Sequence, residues 1–385
     1  TTEIYTLSLH DALPIFERLK FLGIYSNNLD EYFRVRVATL KRLSQLGPKS
    51  KDILGYNPKT TLKKIQETVL KQNTRFEKIY NSLIQDLEKQ NIHIITEKHL
   101  KQEHADFIRK YFMSEVRSRL MPYLIEKEAE LPNLTDDAIY LAIILQKKGT
   151  EKKRYALLEI PTNVLPRFIV LPPDDEGKYI IYLDDIIRFG LKDIFFIFDF
   201  DDFQAFTIKL TKDAELEIAD DISESYIEKL ARSLSQRRWG SPVRFIYDRK
   251  MPDDLLKIIT RKLNFGPDDV VIPAERYHNL KDLMRFPNLG KKKFYYEPLN
   301  PVVHKDIQQG KSILSAMKKR DIMLHFPYHS FVHIIDLLRE ASIDPNVTSI
   351  QITLYRLARN SSVINALLSA ARNGKHVTTV VELQA

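Results

Sequence analysis

The sequence contains no cysteine among its 385 residues, so neither a disulfide bond nor a thiolate can contribute to its structure or chemistry. It also lacks any apolar run approaching ~18 residues, the length that predicts a membrane-spanning helix. Glycine is scarce, at 11 residues, and no glycine-rich phosphate loop or dinucleotide-binding loop is present. Thiol chemistry is therefore excluded, membrane association has no support, and a cytoplasmic protein is the default interpretation.

Basic residues are in excess, with 59 Lys and Arg against 51 Asp and Glu, a formal charge of +8. This balance suits a polyanionic partner such as nucleic acid, a phosphate polymer or an anionic membrane, but it is equally typical of an ordinary basic soluble protein. Arg232, Arg237, Arg238 and Arg244 form a basic group in the sequence. These arginines could contact phosphates or simply form a solvated surface.

Helical periodicity dominates the first quarter of the chain. Leu22, Leu29 and Phe33 begin an apolar series that predicts one long or kinked helix within 16–46. Gly47–Thr60 has loop composition, and a second helix of about thirty residues follows it. We therefore predict a helical-bundle domain over residues 1–95. Thr1–Ile15 has no clear period, and we expect it to be foreign sequence that contributes nothing to the fold.

Residues 96–302 show mixed periodicity, which predicts an α+β domain. One helical region is expected at Glu103–Leu120. Two further helices are predicted at Ser225–Ser235 and Pro252–Leu263. Strands are predicted at Ile139–Leu145, Arg154–Ile160, Phe168–Leu171, Tyr179–Leu183, Phe203–Leu210 and Val243–Tyr247.

Residues 303–385 end in a strand–helix–strand pattern. A β-rich run begins near Thr348, Asn360 and Ser361 can cap the following helix, and Gly374 suits its left-handed end. This spacing predicts a βαβ unit with parallel strands, and ligands bind beyond the carboxyl ends of such strands. Arg356 follows the first strand directly, so it is a candidate binding residue.

Two patterns in the first helix allow alternative interpretations. Tyr25, Asn28 and Tyr32 fall on one side, where an amide between aromatic rings could contact the edge of a purine base. Alternatively, Asn27-Asn28 makes a kink or caps the second half of the helix. Asp30 and Arg34, four residues apart, are interpreted as a solvated ion pair on the helix surface.

Two further patterns suggest metal binding only weakly. Asp199–Asp202 is acidic, but no histidine stands at ligand spacing. His325, His329 and His333 have the spacing of one helical face, but Pro327 disfavours a continuous helix there. His304-Lys305-Asp306 is contiguous, unlike the spaced His, Lys and Asp of the phospholipase D signature.

Several segments resemble the histidine-dependent bacterial polyphosphate kinases, in family order from Phe16 to Ala385. The matching segments are Glu17–Arg36, Arg154–Pro161, Pro166–Phe168, Arg276–Asp282, Phe286–Asn288, Phe326–Phe331 and Ser349–Ala385. Thr1–Ile15 departs from the family pattern. The resemblance implies a multidomain fold with a helical N-terminal domain, an α+β head domain that dimerises, and the truncated start of a phospholipase D-like α/β domain.

The implied reaction is reversible transfer of the γ-phosphate of ATP to inorganic polyphosphate through a phosphohistidine, with Mg²⁺ and with ADP as the nucleotide product. Asn28 matches the asparagine that contacts adenine. Arg356 matches an arginine at the magnesium–phosphate site, where a guanidinium can bind phosphate but cannot ligate the metal. The resemblance places a second such arginine and the nucleophilic histidine beyond Ala385, so this chain alone is expected to be inactive.

The implied partners are ATP, polyphosphate and further copies of the chain, as a homodimer or tetramer formed through the head domain, with no nucleic acid. An alternative of another class is a non-catalytic module for polyanion binding and dimerisation. A nuclease or lipase of the phospholipase D type is a third interpretation. Two spaced His/Lys motifs and a basic tunnel in a following segment would favour the kinase.

Overall fold

The computed structural model describes residues 13–45, 55–98, 100–126, 131–136, 138–150, 152–213, 242–266, 269–290, 292–307, 310–358 and 360–382. The chain forms two compact units, Thr1–Tyr296 and Glu297–Ala385. The helices of the first unit are α1 (Ile15–Tyr32), α2 (Ala38–Gln45), α3 (Pro58–Glu88), α4 (Gln102–Tyr111), α5 (Leu183–Phe189), α6 (Leu191–Ile194) and α7 (Asp253–Lys262). Its strands are β1 (Ile92–Ile95), β2 (Pro122–Leu124), β3 (Ile139–Gln146), β4 (Lys153–Ile160), β5 (Phe168–Asp174), β6 (Gly177–Tyr182), β7 (Asp202–Lys212), β8 (Pro242–Asp248) and β9 (Val270–Ala274).

A π-helical turn, Phe33–Val37, joins α1 to α2. The predicted long or kinked helix is thus confirmed for its described residues, and its irregularity lies after Asn28 rather than at it. Helix α3 has 31 residues and begins at Pro58, where the missing proline N–H costs no helical hydrogen bond. Asn57 caps it by accepting a hydrogen bond from the Lys59 N–H at 3.0 Å. The predicted loop therefore ends at Asn57 and not at Thr60.

The N-terminal helices pack on a three-stranded sheet of order β1-β6-β5. Leu19 and Leu22 of α1 and Leu83 and Leu87 of α3 are almost completely buried. They share one hydrophobic cluster with Ile180 of β6. Because burial of apolar surface is the main stabilising contribution, this shared cluster holds the helices and the sheet in one unit.

Strand β3 lies inside a six-stranded sheet of order β2-β4-β3-β7-β8-β9, in which only the β8–β9 pair is parallel. Alternate residues of β3 point to opposite faces, and Ile139 and Leu141 belong to one hydrophobic cluster while Tyr140 and Ala142 belong to another. The uninterrupted apolar run of β3 therefore reflects a sheet that is covered on both faces.

The predicted strands of the α+β region are all confirmed, and α4 and α7 confirm two of its predicted helices. The predicted helix at Ser225–Ser235 lies outside the described residues. Strands β2 and β9 and helices α5 and α6 are not predicted by the sequence pattern. These elements have three to seven residues, too few to display a clear period.

Residues before α1 take part in the fold where they are described. The Pro14 carbonyl accepts hydrogen bonds from the N–H groups of Glu17 and Arg18, at 3.0 and 3.1 Å. Ile15 begins α1 and packs against the same cluster as Leu19. The expectation that Thr1–Ile15 contributes nothing to the fold is therefore wrong for Pro14 and Ile15, and residues 1–12 lie outside the described residues.

The second unit contains α8 (Ile313–Met317), α9 (Val332–Ile343), β10 (Ser349–Leu354), α10 (Ser362–Arg372) and β11 (His376–Val381). Strands β10 and β11 pair in parallel, with α10 between them in sequence, so the predicted βαβ unit is confirmed. Ser361 caps α10, and Gly374 follows it with a φ of +81°, a conformation that glycine adopts without a steric penalty.

Among the helices of the described residues, none combines the length and the apolar character that crossing a lipid bilayer would require.

Candidate functional site

Arg356 lies at the carboxyl end of the parallel pair in the second unit. Strand β10 ends at Leu354, and the Arg356 side chain is exposed two residues later. The regular pairing of Leu354 with Val381 fixes the end of the strand and hence the start of this segment. A guanidinium at this edge is placed where open α/β sheets bind ligands.

Asn28 lies in the first unit, on α1, and its side chain is exposed. Because α1 continues without interruption from Ile15 to Tyr32, Asn28 neither kinks nor caps a helix. Of the aromatic residues predicted beside it, Tyr32 is 40% exposed. Tyr25 instead packs on α3, where its hydroxyl donates a hydrogen bond to Oε1 of Gln72 at 3.0 Å. The asparagine amide is thus left available to a ligand.

Asp30, two residues further along α1, is buried and does not form the predicted solvated ion pair. Its carboxylate accepts hydrogen bonds from the side chains of Lys209 and Arg244. Arg34 donates from Nε to Asp136 at 2.9 Å. Charged groups removed from water require partners of this kind, so Asp30 ties α1 to strands β7 and β8.

The sequence places Arg244 in a basic group that either contacts phosphates or forms a solvated surface. Arg244 is buried, so the prediction of a solvated surface is wrong for this residue. Its side chain is 1% exposed, and its guanidinium carbon lies 4.3 Å from the centre of the Phe33 ring. Arg232, Arg237 and Arg238 lie outside the described residues.

A second buried network holds the Arg276–Asn279 segment that follows β9. Nη1 of Arg167 donates to the carbonyls of His278 and Asn279 at 2.5 and 2.9 Å, while Nε and Nη2 bind both oxygens of Asp184 at 3.1 and 3.0 Å. Asn279 has a φ of +56°, a left-handed conformation that asparagine tolerates better than most residues. The segment is fixed in one conformation by these bonds.

The pKa values of two buried carboxylates in this network, Asp184 and Asp185, are shifted in opposite directions. Burial raises the pKa of Asp184, but the charge and hydrogen bonds of Arg167 outweigh burial, and the net pKa is lowered. Burial also raises the pKa of Asp185, and there the opposing charges of Arg188 and Arg276 are insufficient, so its pKa remains raised. The hydroxyl of Tyr277 donates to Asp185 at 2.5 Å.

His278 leads to a prediction for the pH dependence of stability. Burial lowers the pKa of His278 to about 3, and its Nε2–H donates to the carbonyl of Thr207 at 2.8 Å. The unfolded chain binds a proton near pH 6.5, so the free energy of unfolding should fall as the pH drops from 6.5 towards 3, by about 1.4 kcal/mol per pH unit. Urea unfolding at several pH values measures this slope.

The control variant keeps a side-chain N–H donor at position 278 but removes the imidazole that binds a proton. His278→Gln should abolish the slope between pH 6.5 and 4.5. His104→Gln, at a buried histidine that contacts the Pro172 carbonyl at 3.1 Å, should leave it in place. An unchanged slope in His278→Gln would show that another group causes the acid sensitivity.

The first unit also contains an open cavity of about 220 Å³. Helices α1 and α3, strands β7 to β9 and the Arg276–Asn279 segment form its walls. Residues that face it include Tyr25, Ser26, Asn73, Phe76, Tyr80 and Asn81. Asn28 is not among the lining residues, so this cavity and the amide of Asn28 are distinct features of α1.

Two histidines of the second unit, His329 and His333, accept backbone hydrogen bonds within the fold. Helix α9 begins at Val332, after Pro327, so His325 and His329 precede the helix that contains His333. Nε2 of His333 accepts the His304 N–H at 3.1 Å, and Nδ1 of His329 accepts the His325 N–H at 2.9 Å. Within the described ranges, no group of three or more His, Asp or Glu residues is arranged to hold a metal ion.

The acidic run Asp199–Asp202 makes ordinary surface contacts. Asp199 pairs with Lys147, and Oδ1 of Asp201 accepts the Lys148 N–H at 2.8 Å. Nothing in these contacts points to a bound cation.

Comparison with known proteins now decides the family. Residues 4–95 match the polyphosphate kinase N-terminal domain, residues 103–286 the middle domain, and residues 312–385 the C-terminal domain 1. The chain belongs to the polyphosphate kinase family. The match to the N-terminal domain of this family begins at residue 4, inside the segment that we expected to be foreign.

Polyphosphate kinase relatives extend well beyond the part that this chain matches. The chain is 43% identical over 381 residues to the polyphosphate kinase of Vibrio vulnificus strain YJ016, covering 97% of this chain and 53% of that protein. It is 41% identical over 378 residues to that of Escherichia coli strain K12, covering 97% and 54% respectively. The chain therefore spans about half the length of the curated relatives it matches.

A solved polyphosphate kinase structure has the same architecture. The crystal structure of polyphosphate kinase from Porphyromonas gingivalis superimposes with a TM-score of 0.73 at 32% sequence identity, covering 100% of this chain and 54% of that one. Sequence and fold thus point to the same family.

Proposed function

We propose that the protein of which this chain forms part transfers the γ-phosphate of ATP reversibly to inorganic polyphosphate through a phosphohistidine. The observation that carries the proposal is the match of three polyphosphate kinase domains in consecutive order, 4–95, 103–286 and 312–385. The βαβ unit supports it, because it presents Arg356 at a strand end suited to an anionic ligand.

Arg356 and Asn28 are each proposed to be a binding residue within its own unit. The guanidinium of Arg356 would clamp phosphate oxygens, and the amide of Asn28 would contact the edge of adenine. Mg²⁺ does not fit Arg356 as a ligand, because both are cations, and the described residues offer no cluster of carboxylates for it. We therefore treat Mg²⁺ as arriving with the substrate, bound to ATP phosphates, with ADP leaving after transfer.

The same proposal covers domains and assembly. Residues 1–95 would form the helical domain, 96–302 the dimerising head domain, and 303–385 the start of a phospholipase D-like domain. A cytoplasmic homodimer or tetramer would assemble through the head domain.

The role of Asn28 can be tested in the full-length enzyme. We expect Asn28→Ala to raise the KM for ATP about tenfold, the value of one lost base contact, with little change in melting temperature. Asn27→Ala is the matched control, since Asn27 is also an exposed amide on α1. Lost stability with an unchanged KM would assign Asn28 a structural role.

The location of the nucleophile can be tested with labelled ATP. We expect the 385-residue chain to acquire no acid-labile phosphate from γ-labelled ATP, whereas the full-length enzyme should be labelled. A stable phosphohistidine on the shorter chain would contradict the assignment of the nucleophile to a residue beyond Ala385. A full-length protein that binds polyphosphate without labelling would instead support a non-catalytic polyanion-binding module.

A further inference from the structure

The cavity between α1 and α3 has the walls of a site for a planar molecule. Tyr25 and Phe76 present aromatic rings whose centres are 5.6 Å apart and whose planes are inclined by 31°. Tyr80 adds a third ring, and its hydroxyl is already engaged with that of Tyr182 at 2.8 Å. Burial raises the pKa of both Tyr25 and Tyr80 to about 12, consistent with poorly hydrated walls. Flat aromatic surfaces of this kind favour stacking with an aromatic ligand.

Several polar side chains line the same cavity and make no hydrogen bond to other described residues. Throughout the described part of the chain, the side chains of Ser26, Asn73 and Asn81 find no hydrogen-bond partner. At the cavity floor, Nε of Arg244 is buried and has no acceptor within those same residues. A buried donor without an acceptor calls for an explanation, and polar groups that converge on an apolar cavity are the usual mark of a specific binding site.

The charges at the cavity wall indicate that the ligand should carry no phosphate group. Glu77 and Glu275 both line it, and Arg249, which is 46% exposed, pairs with the two carboxylates at 2.9 and 3.4 Å. The lining also contains three cations, and each is paired with a carboxylate: Lys209 and Arg244 with Asp30, and Arg276 with Asp185 and Glu97. Because the cations of the lining are already paired with carboxylates, the cavity is less suited to a phosphate than to an uncharged ligand.

We propose that this cavity binds the base of an uncharged purine nucleoside, with the base against the rings of Tyr25 and Phe76 and its edge on the amide of Asn73. A carboxamide offers a donor and an acceptor side by side, which complements the amino group and ring nitrogen at the edge of adenine. The site is separate from Asn28, so it would sense purine independently of the ATP that the enzyme consumes.

The test is a calorimetric titration of the 385-residue chain with adenosine, adenosine monophosphate and inosine. We expect adenosine to bind, the monophosphate to bind more weakly because of Glu77 and Glu275, and inosine to bind more weakly because it lacks the amino group. Asn73→Ala should weaken adenosine binding about tenfold. Asn73→Asp, which keeps the shape and loses the donor, should do the same.

Two variants make the result decisive. Gln85→Ala, on the exposed face of α3, should bind adenosine as the unaltered chain does. Asn27→Ala, at an exposed amide of α1 that does not line the cavity, should also bind normally. The proposal is overturned if adenosine fails to bind at millimolar concentration, if well-folded Asn73 variants bind it unchanged, if the monophosphate binds more tightly, or if Asn27→Ala abolishes binding.

Discussion

Replacing Arg356 with lysine in the full-length enzyme should lower the turnover of polyphosphate formation about a hundredfold. The transferred phosphoryl group spreads its charge over three oxygens, and a preorganised donor that matches this charge acts mainly in the transition state. Lysine keeps the charge but loses the planar fork that binds two oxygens at once. The expected factor is that of removing one such donor.

Steady-state turnover and thermal melting together decide the role of Arg356. Its exposed side chain predicts an unchanged melting temperature. Arg372→Lys is the matched control, because Arg372 is an exposed arginine at the end of α10, and it should leave turnover unchanged. Turnover near that of the unaltered enzyme would show that Arg356 contributes only its positive charge. A large fall in melting temperature would show that Arg356 is a structural ion-pair partner.

The regular elements follow from local patterns in the sequence. The alternation and apolar content of β3 and β7 predict strands, and the spacing of Leu83 and Leu87 predicts the end of α3. The βαβ unit is predictable for the same reason, since Ser361 and Gly374 mark the ends of its helix chemically. Arg356 can therefore be placed by counting residues from the end of β10.

The buried charges could not be predicted, because their partners are distant in the sequence. Asp30 has a conventional helical partner at Arg34, four residues away, yet it bonds to Lys209 and Arg244, which are 179 and 214 residues away. Local spacing contains no information on such pairs. For the same reason the Arg276–Asn279 segment was recognised by resemblance alone, and the cavity beside it was not foreseen.

The network around Arg167 should contribute more to stability than any surface ion pair. Arg167 is 2% exposed at its side chain and binds Asp184, Asp282 and two backbone carbonyls. Its guanidinium carbon also lies 5.3 Å from the centre of the Tyr182 ring. Removing one partner from a buried ion pair leaves an uncompensated charge, which costs about 3–5 kcal/mol, whereas an exposed pair contributes about 0–1 kcal/mol.

Arg167→Met should therefore lower the free energy of unfolding by about 3–5 kcal/mol at pH 7, measured by urea titration. The matched control is Arg119→Met, which breaks an exposed pair with Glu115 and should change stability by less than about 1 kcal/mol.

In the unaltered chain the lowered pKa of Asp184 contributes stability above pH 4, and this contribution is lost as the pH falls through the folded-state pKa. Without Arg167, burial alone would raise that pKa, and the variant would regain stability as Asp184 became protonated. The difference between the two proteins should thus be larger at pH 7 than at pH 4.5, and a difference independent of pH would show that the lost carbonyl hydrogen bonds, rather than the buried charge, account for the destabilisation.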